Sequence, residues 1–298
     1  MNKRTTYFLF ALVAVLALTV SACGPSEPAL GTEENPIQWV FVPSREGEEV
    51  TAAAQGVADL LHEETGLFFE TFVATDYTAA IEAECSDPPR AQMGSLATFA
   101  LITAADRGCA EPALVASRRG SLTYTGQIVA RADSGITSLA DIAGHTFCAT
   151  EPTSTSGWII PSVMLRAAGV DVDNLDVTYA GGHDAAILGV YNGECDAGAS
   201  FVDARTLIEG DYADVMDVVQ VVEVSIDIPN DGVQFVNSFD PEMKQQIVDA
   251  LVKIAGTESG AEALNAAYQW DGLEAHGNEF YDPFRQLLDA AGVSAEDL

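Results

Sequence analysis

The chain has 298 residues, of which 48% are hydrophobic and 19% charged. This length and composition are enough for one or two globular domains to bury a core, and they argue against a disordered chain or a collagen-like repeat. Its 13 basic residues face 45 acidic ones, which gives a formal charge of −32. Because so acidic a surface repels nucleic acid and anionic lipid at long range, nucleic acid is not expected as a partner.

Residues 1–22 predict a signal peptide for export. Lys3 and Arg4 precede an apolar run over residues 7–20 that is too short for a permanent spanning helix, and small residues follow it. Residues 20–23, Val-Ser-Ala-Cys, resemble a lipobox, in which cleavage precedes the cysteine and Cys23 is acylated. An ordinary signal with an incidental Cys23 is the alternative. Residues 23–36 contain Pro and Gly and predict a flexible lipidated tether to the membrane.

The exported part remains acidic and contains four more cysteines. Without Lys3 and Arg4, 11 of the 13 basic residues remain against 45 acidic ones, so its formal charge is −34. The cysteines are Cys85, Cys109, Cys148 and Cys195. An oxidising compartment favours disulfides, and of the three possible pairings sequence proximity favours Cys85–Cys109 and Cys148–Cys195. A structural metal is the competing interpretation, but no CxxC or HxxxH spacing supports one, and no metal is expected.

From residue 37 the chain alternates strands with helices. Residues 37–43 form an apolar run typical of a buried strand, and residues 46–64 carry apolar side chains at helical spacing. The alternation continues with strands at 68–74 and 91–95 and helices at 77–84 and 96–106. This βαβα order predicts a mostly parallel sheet with helices on both faces.

A similar pattern begins again after residue 119. Strands are predicted at 122–134, 145–150, 175–179 and 197–201, and helices at 156–168, 183–191 and 203–209. A strand-rich stretch follows over residues 218–236. Helices near 241–255, 259–268 and 280–291 then close the chain.

These elements predict a bilobal α/β protein with two doubly wound lobes. Residues 37–124 and 229–298 are assigned to the first lobe and residues 125–228 to the second. Two extended hinge crossings, near 124–129 and 221–228, join the lobes, and the C-terminal helices return to the first lobe. Because ligands in open α/β sheets bind beyond the carboxyl ends of the strands, the cleft between the lobes is the expected site.

The segment 149–161, with the sequence ATEPTSTSGWIIP, contains hydroxyl residues where a strand ends and a helix begins. Ser154, Thr155 and Ser156 can cap that helix, and its free N–H groups and positive dipole end can bind an anion without any formal positive charge. Helix capping alone is the competing interpretation. Three consecutive hydroxyls exceed what a cap requires.

A second candidate segment follows the next predicted strand, with Gly181 and Gly182 before His183. The two glycines allow the backbone to approach a ligand closely, and the imidazole at the helix start can donate to an oxyanion. A purely structural histidine is the alternative. Its place at the same sheet edge as the hydroxyl residues favours a role in binding.

With these segments the exported domain resembles the substrate-binding lipoproteins of phosphonate, phosphite and phosphate ABC importers, from residue 37 to the last helix. The resemblance implies a type II periplasmic-binding-protein fold. It also implies a monomer without enzymatic activity or cofactor, which is exported and lipid-anchored. Such a protein captures a phosphorus oxyanion between its lobes and delivers it to the membrane subunits of an ABC permease.

The resemblance also implies a set of ligand-binding residues. The phosphoryl oxygens are expected to contact the hydroxyl turn at Ser154, Thr155 and Ser156 together with His183. Two tyrosines, Tyr77 in ATDYTA and Tyr124 in LTYTGQ, match tyrosines of the family. Two acids that receive an amino group in phosphonate-binding members correspond to Asp203 and Asp231, the first of which is commonly Glu in the family.

No lysine or arginine falls inside these motifs, so affinity is expected to come from short-range neutral donors. Two alternatives stay open. One keeps the architecture with a sulfonate or a thiamine-precursor-like solute as ligand. The other is a serine hydrolase that uses Ser156, His183 and Asp203 as nucleophile, base and orienter, although the sequence contains no GxSxG elbow.

Overall fold

The computed structural model describes residues 28–45 and 47–293. The predicted signal peptide and Cys23 therefore lie outside the described residues. The strands in chain order are β1 (Ile37–Phe41), β2 (Phe69–Val73), β3 (Met93–Ser95), β4 (Ala110–Ser117), β5 (Thr123–Arg131), β6 (Thr146–Ala149), β7 (Asp176–Tyr179), β8 (Ala197–Phe201), β9 (Val219–Pro229), β10 (Gly232–Val236) and β11 (Gly272–Ala275).

The helices are α1 (Gly47–Thr65), α2 (Tyr77–Cys85), α3 (Thr98–Asp106), α4 (Ile160–Ala167), α5 (His183–Asn192), α6 (Val215–Val218), α7 (Pro241–Ala255), α8 (Glu258–Tyr268) and α9 (Asp282–Ala290). Within the described part of the chain, none of them has the length and apolar character needed to cross a bilayer.

The first lobe is built on a six-stranded sheet with the order β11-β4-β10-β3-β1-β2. β1 pairs in parallel with both β2 and β3, whereas β10 runs antiparallel between β3 and β4. Four of the five β1 residues are buried, as expected for a strand covered on both faces. The strands β10 and β11 and the C-terminal helices pack with the first lobe, and β11 has no counterpart among the predicted elements.

The second lobe is built on a five-stranded sheet with the order β7-β6-β8-β5-β9. β6 pairs in parallel with β7 and β8, and β5 runs antiparallel to both β8 and β9. Two apolar clusters cover its faces, one around Phe147 and Leu165 and one around Ile187 and Val190. The two sheets confirm the predicted two-lobed α/β architecture, but the expectation of a mostly parallel sheet is wrong, because β4, β5, β9, β10 and β11 pair antiparallel with their neighbours.

The crossings between the lobes are shorter than predicted and lie elsewhere. The chain passes from β4 to β5 through residues 118–122 and returns from β9 to β10 through residues 230–231. The predicted crossings, 124–129 and 221–228, are instead parts of β5 and β9, which pair with each other inside the second sheet. Their sequences do favour extended backbone, but the hydrogen bonds between the two strands make them part of one lobe.

Strand β4 is missing from the sequence-based prediction, and the helix predicted at 203–209 is a single 3-10 turn, Ala204–Leu207. Proline cannot donate to a strand ladder, so Pro112 makes this strand hard to predict from sequence. In the structure Pro112 lies opposite Gln234, where the register of β10 shifts between Val233 and Gln234. This irregularity accommodates the missing N–H donor.

Both disulfides pair as sequence proximity favours. Cys85–Cys109 joins the end of α2 to the segment before β4, and Cys148–Cys195 joins β6 to the segment before β8. Each disulfide therefore lies within one lobe and leaves the lobes free to move relative to each other. In the described ranges, no group of three or more His, Cys, Asp and Glu side chains is arranged to hold a metal.

Candidate functional site

A cavity of about 530 Å³ lies between the two lobes and is lined by residues from both. The first lobe contributes Ser44, Arg45, Tyr77, Thr98 and Tyr268. The second lobe contributes Tyr124, Thr125, Ser156, His183, Phe201 and Asp203. The crossings contribute Arg118, Arg119, Ser121 and Asp231. The cavity therefore occupies the cleft in which the sequence places the ligand.

The three side chains of the hydroxyl turn, residues 154–156, make different contacts. Residues 155–159 form a π turn that leads into α4, and Ser154 makes no side-chain capping hydrogen bond. Ser156 lies on the cavity wall, whereas the hydroxyl of Thr155 accepts a hydrogen bond from the backbone N–H of Phe99 at 2.8 Å. Because Phe99 belongs to the first turn of α3, Thr155 caps a helix of the opposite lobe and links the two lobes.

Gly157 explains why this turn can pack so closely against β6. A side chain at this position would collide with Thr150 and would also approach Ser154. The glycine thus brings the hydroxyl turn over the end of β6. This close approach places Ser156 at the cavity, while Thr155 and Ser154 are buried beside it.

His183 is the first residue of α5 and is also held by both lobes. Its backbone N–H donates to the carbonyl of Ser44 at 3.0 Å, and its Nδ1 lies 3.2 Å from the hydroxyl of Thr150. Its ring packs edge-on against Phe201, with 4.8 Å between centroids. Burial lowers the pKa of His183 to about 3, so its imidazole is neutral at physiological pH. A neutral imidazole on the cavity wall retains one N–H donor.

Tyr77 and Tyr124 reach the cavity from opposite lobes. The carboxylate of Asp76 accepts a hydrogen bond from the N–H of Ala79 at 2.6 Å, so Asp76 caps α2 and places Tyr77 at its first position. Burial is the main cause that raises the pKa of Tyr77, and burial also raises the pKa of Tyr124. Both phenols therefore keep their protons and can donate to an anion.

Asp203 and Asp231 both lie on the cavity wall, and each is paired with an arginine. Arg205 binds Asp203, and Arg118 binds Asp231 at 2.5 Å. Burial opposes ionisation of Asp203, but hydrogen bonds from Arg205 outweigh it and leave the pKa of this carboxyl below its usual value. Asp203 is therefore charged, and the carboxylate of each aspartate is bound by a guanidinium of the protein itself.

The expectation of a cavity without nearby arginine is wrong, because Arg45, Arg118 and Arg119 all line it. Arg45 donates to the backbone carbonyls of Ala266 and Ala267 in the last turn of α8. The adjacent pair Arg118 and Arg119 occupies the first crossing, immediately before Gly120. Two consecutive arginines shortly before the predicted strand 122–134, in a chain with so few basic residues, are the signal that could have found them.

Other cavity residues carried no recognisable sequence signal. Thr98 and Tyr268 are an ordinary threonine and tyrosine within helices, and Ser44 follows β1 in a loop. They reach the cavity because α3, α8 and β1 of the first lobe end there.

The contacts that a serine hydrolase requires are not formed among the described residues. Asp203 accepts hydrogen bonds from Arg205 and Gln127, and the Nδ1 of His183 contacts Thr150. No hydrogen bond joins Asp203 to His183 in this part of the chain. The orienting step of a Ser-His-Asp triad therefore has no counterpart here.

Comparison with known proteins agrees with this geometry. A family model for the periplasmic substrate-binding protein of phosphonate ABC transporters matches residues 39–281. The phosphate-import protein PhnD of Mycolicibacterium smegmatis is 29% identical over 230 residues, which cover 71% of this chain and 71% of that protein.

Two solved structures share the fold. The binding protein of an ABC phosphonate transporter from Pseudomonas aeruginosa has a TM-score of 0.78 and 23% identity, and the match covers 86% of this chain and 87% of that one. PhnD1 of Prochlorococcus marinus MIT 9301, in complex with methylphosphonate, has a TM-score of 0.75 and 14% identity, with coverage of 86% and 98%. At these identities the likeness shows the fold, which is the type II periplasmic-binding-protein fold expected from the sequence.

Proposed function

Because this chain belongs to the family of periplasmic substrate-binding proteins of phosphonate ABC transporters, we propose that its cavity captures a small phosphorus oxyanion and delivers it to a membrane permease. Phosphonate, phosphite and phosphate are the ligands proposed. The matched relatives are substrate-binding transport proteins, and a periplasmic binding protein acts outside the cytoplasm.

The convergence of neutral donors from both lobes carries this proposal. Tyr77 approaches the cavity from the first lobe, and Tyr124, Ser156 and His183 approach it from the second. Thr98 also lines the cavity, but its hydroxyl donates to the carbonyl of Pro229 at 2.8 Å. A tetrahedral oxyanion can accept hydrogen bonds from several fixed donors at once, whereas a planar carboxylate leaves some unpaired. About four charge-assisted hydrogen bonds contribute on the order of 6–12 kcal/mol, before the entropy cost of ordering the ligand and the side chains is subtracted. Micromolar binding corresponds to a binding free energy of about 8 kcal/mol.

Lobe closure is the proposed means of trapping the ligand. We treat the first lobe, with β1 to β4, β10 and β11, as one moving body and the second lobe, with β5 to β9, as the other. The contacts of Ser44 with His183 and of Phe99 with Thr155 bridge these bodies and support a closed state. Because the ligand contacts both lobes only when they are closed, it favours that state by its differential affinity. Small-angle scattering that shows no compaction on addition of methylphosphonate contradicts closure.

Calorimetry with the exported domain tests the ligand class. Phosphate, phosphite and methylphosphonate are titrated beside an alkylsulfonate and a thiamine-precursor pyrimidine, and at least one phosphorus compound is expected to bind. Ser156→Ala is expected to weaken that binding by about tenfold, because a charge-assisted hydrogen bond is lost. Ser238→Ala is the matched control, since Ser238 is an exposed serine outside the cavity. Binding of the sulfonate or the pyrimidine with none of the phosphorus compounds contradicts the proposal.

Anchoring through Cys23 is proposed from the lipobox and the tether that follows it. Mass spectrometry of the membrane fraction is expected to find an acylated Cys23 at the new N-terminus. Cys23→Ser is expected to release the domain into the soluble fraction as a monomer. An unmodified, soluble wild-type protein contradicts the anchor without affecting the ligand proposal.

A further inference from the structure

Two carboxylates on the cavity wall decide whether a ligand with a cationic group fits. Asp203 and Asp231 both line the cavity. A carboxylate without a partner attracts an ammonium group, whereas one that is already paired with a cation attracts it far less. Whether these two carboxylates are paired with a cation of the protein therefore affects whether a ligand with an ammonium group binds.

The carboxylate of Asp203 is saturated by hydrogen bonds from the protein. Its Oδ1 accepts from Gln127 at 3.1 Å and from the backbone N–H and Nε of Arg205 at 3.1 and 2.8 Å. Its Oδ2 accepts from the second arm of the guanidinium at 2.5 Å. The third guanidinium nitrogen donates to the carbonyl of Val219 at 2.8 Å, so Arg205 is held in place independently of Asp203.

Asp231 is neutralised at the crossings between the lobes. The guanidinium of Arg118 donates to Asp231 at 2.5 Å and to the side-chain carbonyl of Asn230 at 3.0 Å. It also lies 5.7 Å from the centre of the Tyr124 ring, a favourable position for a cation. Only 9% of the Asp231 side chain and 22% of the Arg118 side chain are exposed. The pair joins the two crossings, because Arg118 lies on the first and Asp231 on the second.

The cavity as a whole carries no excess negative charge, although the protein is strongly acidic. Its wall contains three arginines and three aspartates, Arg45, Arg118, Arg119, Asp203, Asp231 and Asp271. Arg205 adds a further positive charge behind Asp203. His183 is neutral because burial lowers its pKa. An ammonium group therefore meets balanced or positive surroundings in this cleft.

We propose that the cavity selects phosphorus oxyanions without a cationic group, such as phosphate, phosphite and simple alkylphosphonates, over aminoalkylphosphonates. This selection rests on the function proposed above and narrows it. An ammonium group that approaches either aspartate must displace a guanidinium or share its carboxylate. Displacement leaves an arginine without its partner in a largely desolvated place, which is unfavourable. The phosphoryl group meets no such penalty, because it binds the hydroxyl and imidazole donors.

The wild-type protein tests the proposal with two ligands of the same size. In 2-aminoethylphosphonate an ammonium group occupies the place of the terminal methyl group of n-propylphosphonate. Calorimetry is expected to give an affinity about tenfold higher for n-propylphosphonate than for 2-aminoethylphosphonate. Equal affinities, or tighter binding of the amine, overturn the proposal.

Releasing one aspartate is expected to weaken the selection. Arg205→Gln removes the guanidinium and leaves Asp203 facing the cavity, and Arg118→Gln does the same for Asp231. Either variant is expected to shift the affinity ratio by about fivefold toward 2-aminoethylphosphonate. Arg166→Gln is the matched control, because Arg166 pairs with Asp173 outside the cavity, and its ratio is expected to equal that of the wild type.

The outcomes separate this proposal from the broader one. If no phosphorus compound binds, the proposed function fails and the selection fails with it. If phosphorus compounds bind and the amine is preferred, only the selection fails. A folded Arg205→Gln variant with an unchanged ratio also overturns it. Where that variant does not fold, the wild-type ratio decides the question by itself.

Discussion

Replacing Glu84 by glutamine is expected to remove a large pH dependence from the stability of this protein. Glu84 lies on α2 and is fully buried in the first lobe, where its carboxyl accepts a hydrogen bond from the side-chain amide of Gln234. Two buried acceptors, Oε1 of Glu84 and Oε1 of Gln234, have no donor among the described residues. A proton on Glu84 turns one of these acceptors into a donor. The carboxyl is therefore favoured in its neutral form.

The magnitude follows from the pKa. Burial, partly offset by Gln234, raises the pKa of Glu84 from 4.5 to about 8. At a pH between these values the unfolded chain loses the proton and the folded chain keeps it, so stability falls as pH rises. The stabilisation is fully present below the lower value and is lost once pH exceeds the higher one. A shift of this size corresponds to about 5 kcal/mol.

Urea unfolding at several pH values measures the effect. The free energy of unfolding of Glu84→Gln minus that of the wild type cancels the titration of all shared groups. This difference is expected to rise by about 1.4 kcal/mol for each pH unit between about pH 5 and about pH 8, and then to level off. Phosphorus-free buffers are needed, because a bound ligand stabilises the folded state.

Glu82→Gln provides the matched control on the same helix. The side chain of Glu82 is exposed and pairs with Arg107, so its replacement is expected to change stability by about 1 kcal/mol or less. Parallel pH profiles for the wild type and Glu84→Gln refute the reasoning, because they mean that Glu84 ionises as easily in the folded chain as in the unfolded one.

Three further predictions concern charge, protonation and covalent links. The guanidinium of Arg119 is exposed at the cavity and has no carboxylate partner among the described residues, so Arg119→Gln is expected to slow phosphate association by about two- to fivefold at low salt. Arg90→Gln, which changes an exposed arginine outside the cavity, is expected to leave the association rate unchanged. Equal association rates for the two variants in stopped-flow experiments contradict this prediction. The imidazole of His183 is expected to show no NMR titration between about pH 5 and about pH 8, because burial lowers its pKa from 6.5 to about 3. Protonation of His183 is expected to destabilise the folded protein only as the pH falls from 6.5 to about 3. A titration midpoint near 6.5 contradicts this prediction. Replacing both Cys148 and Cys195 by alanine is expected to lower the free energy of unfolding by about 4 kcal/mol. The reason is that this disulfide closes a long loop, with a sequence separation of 47. An unchanged denaturation midpoint refutes this prediction.

The features that the sequence predicts correctly depend on neighbouring residues. Asp76 caps α2 and so places Tyr77 at its first position, and the glycines before His183 lead directly into α5. The alternation of apolar residues determines which segments are strands or helices, because the periodicity of each element is local. The pairing of cysteines also follows proximity along the chain, since each disulfide closes within one lobe.

The partners of the charged and hydroxyl groups depend on the tertiary structure. Arg118 and Asp231 are separated by 113 residues and meet only because two crossings lie side by side. Thr155 was predicted to bind the ligand, but its hydroxyl accepts from Phe99 of the opposite lobe. Nothing in the local sequence of Glu84 shows that it is buried without a cationic partner. Local sequence determines which groups are present and on which element they lie. The fold determines which groups meet and how far water is excluded from them. The partners of a group and its exclusion from water then set its charge and its availability to a ligand.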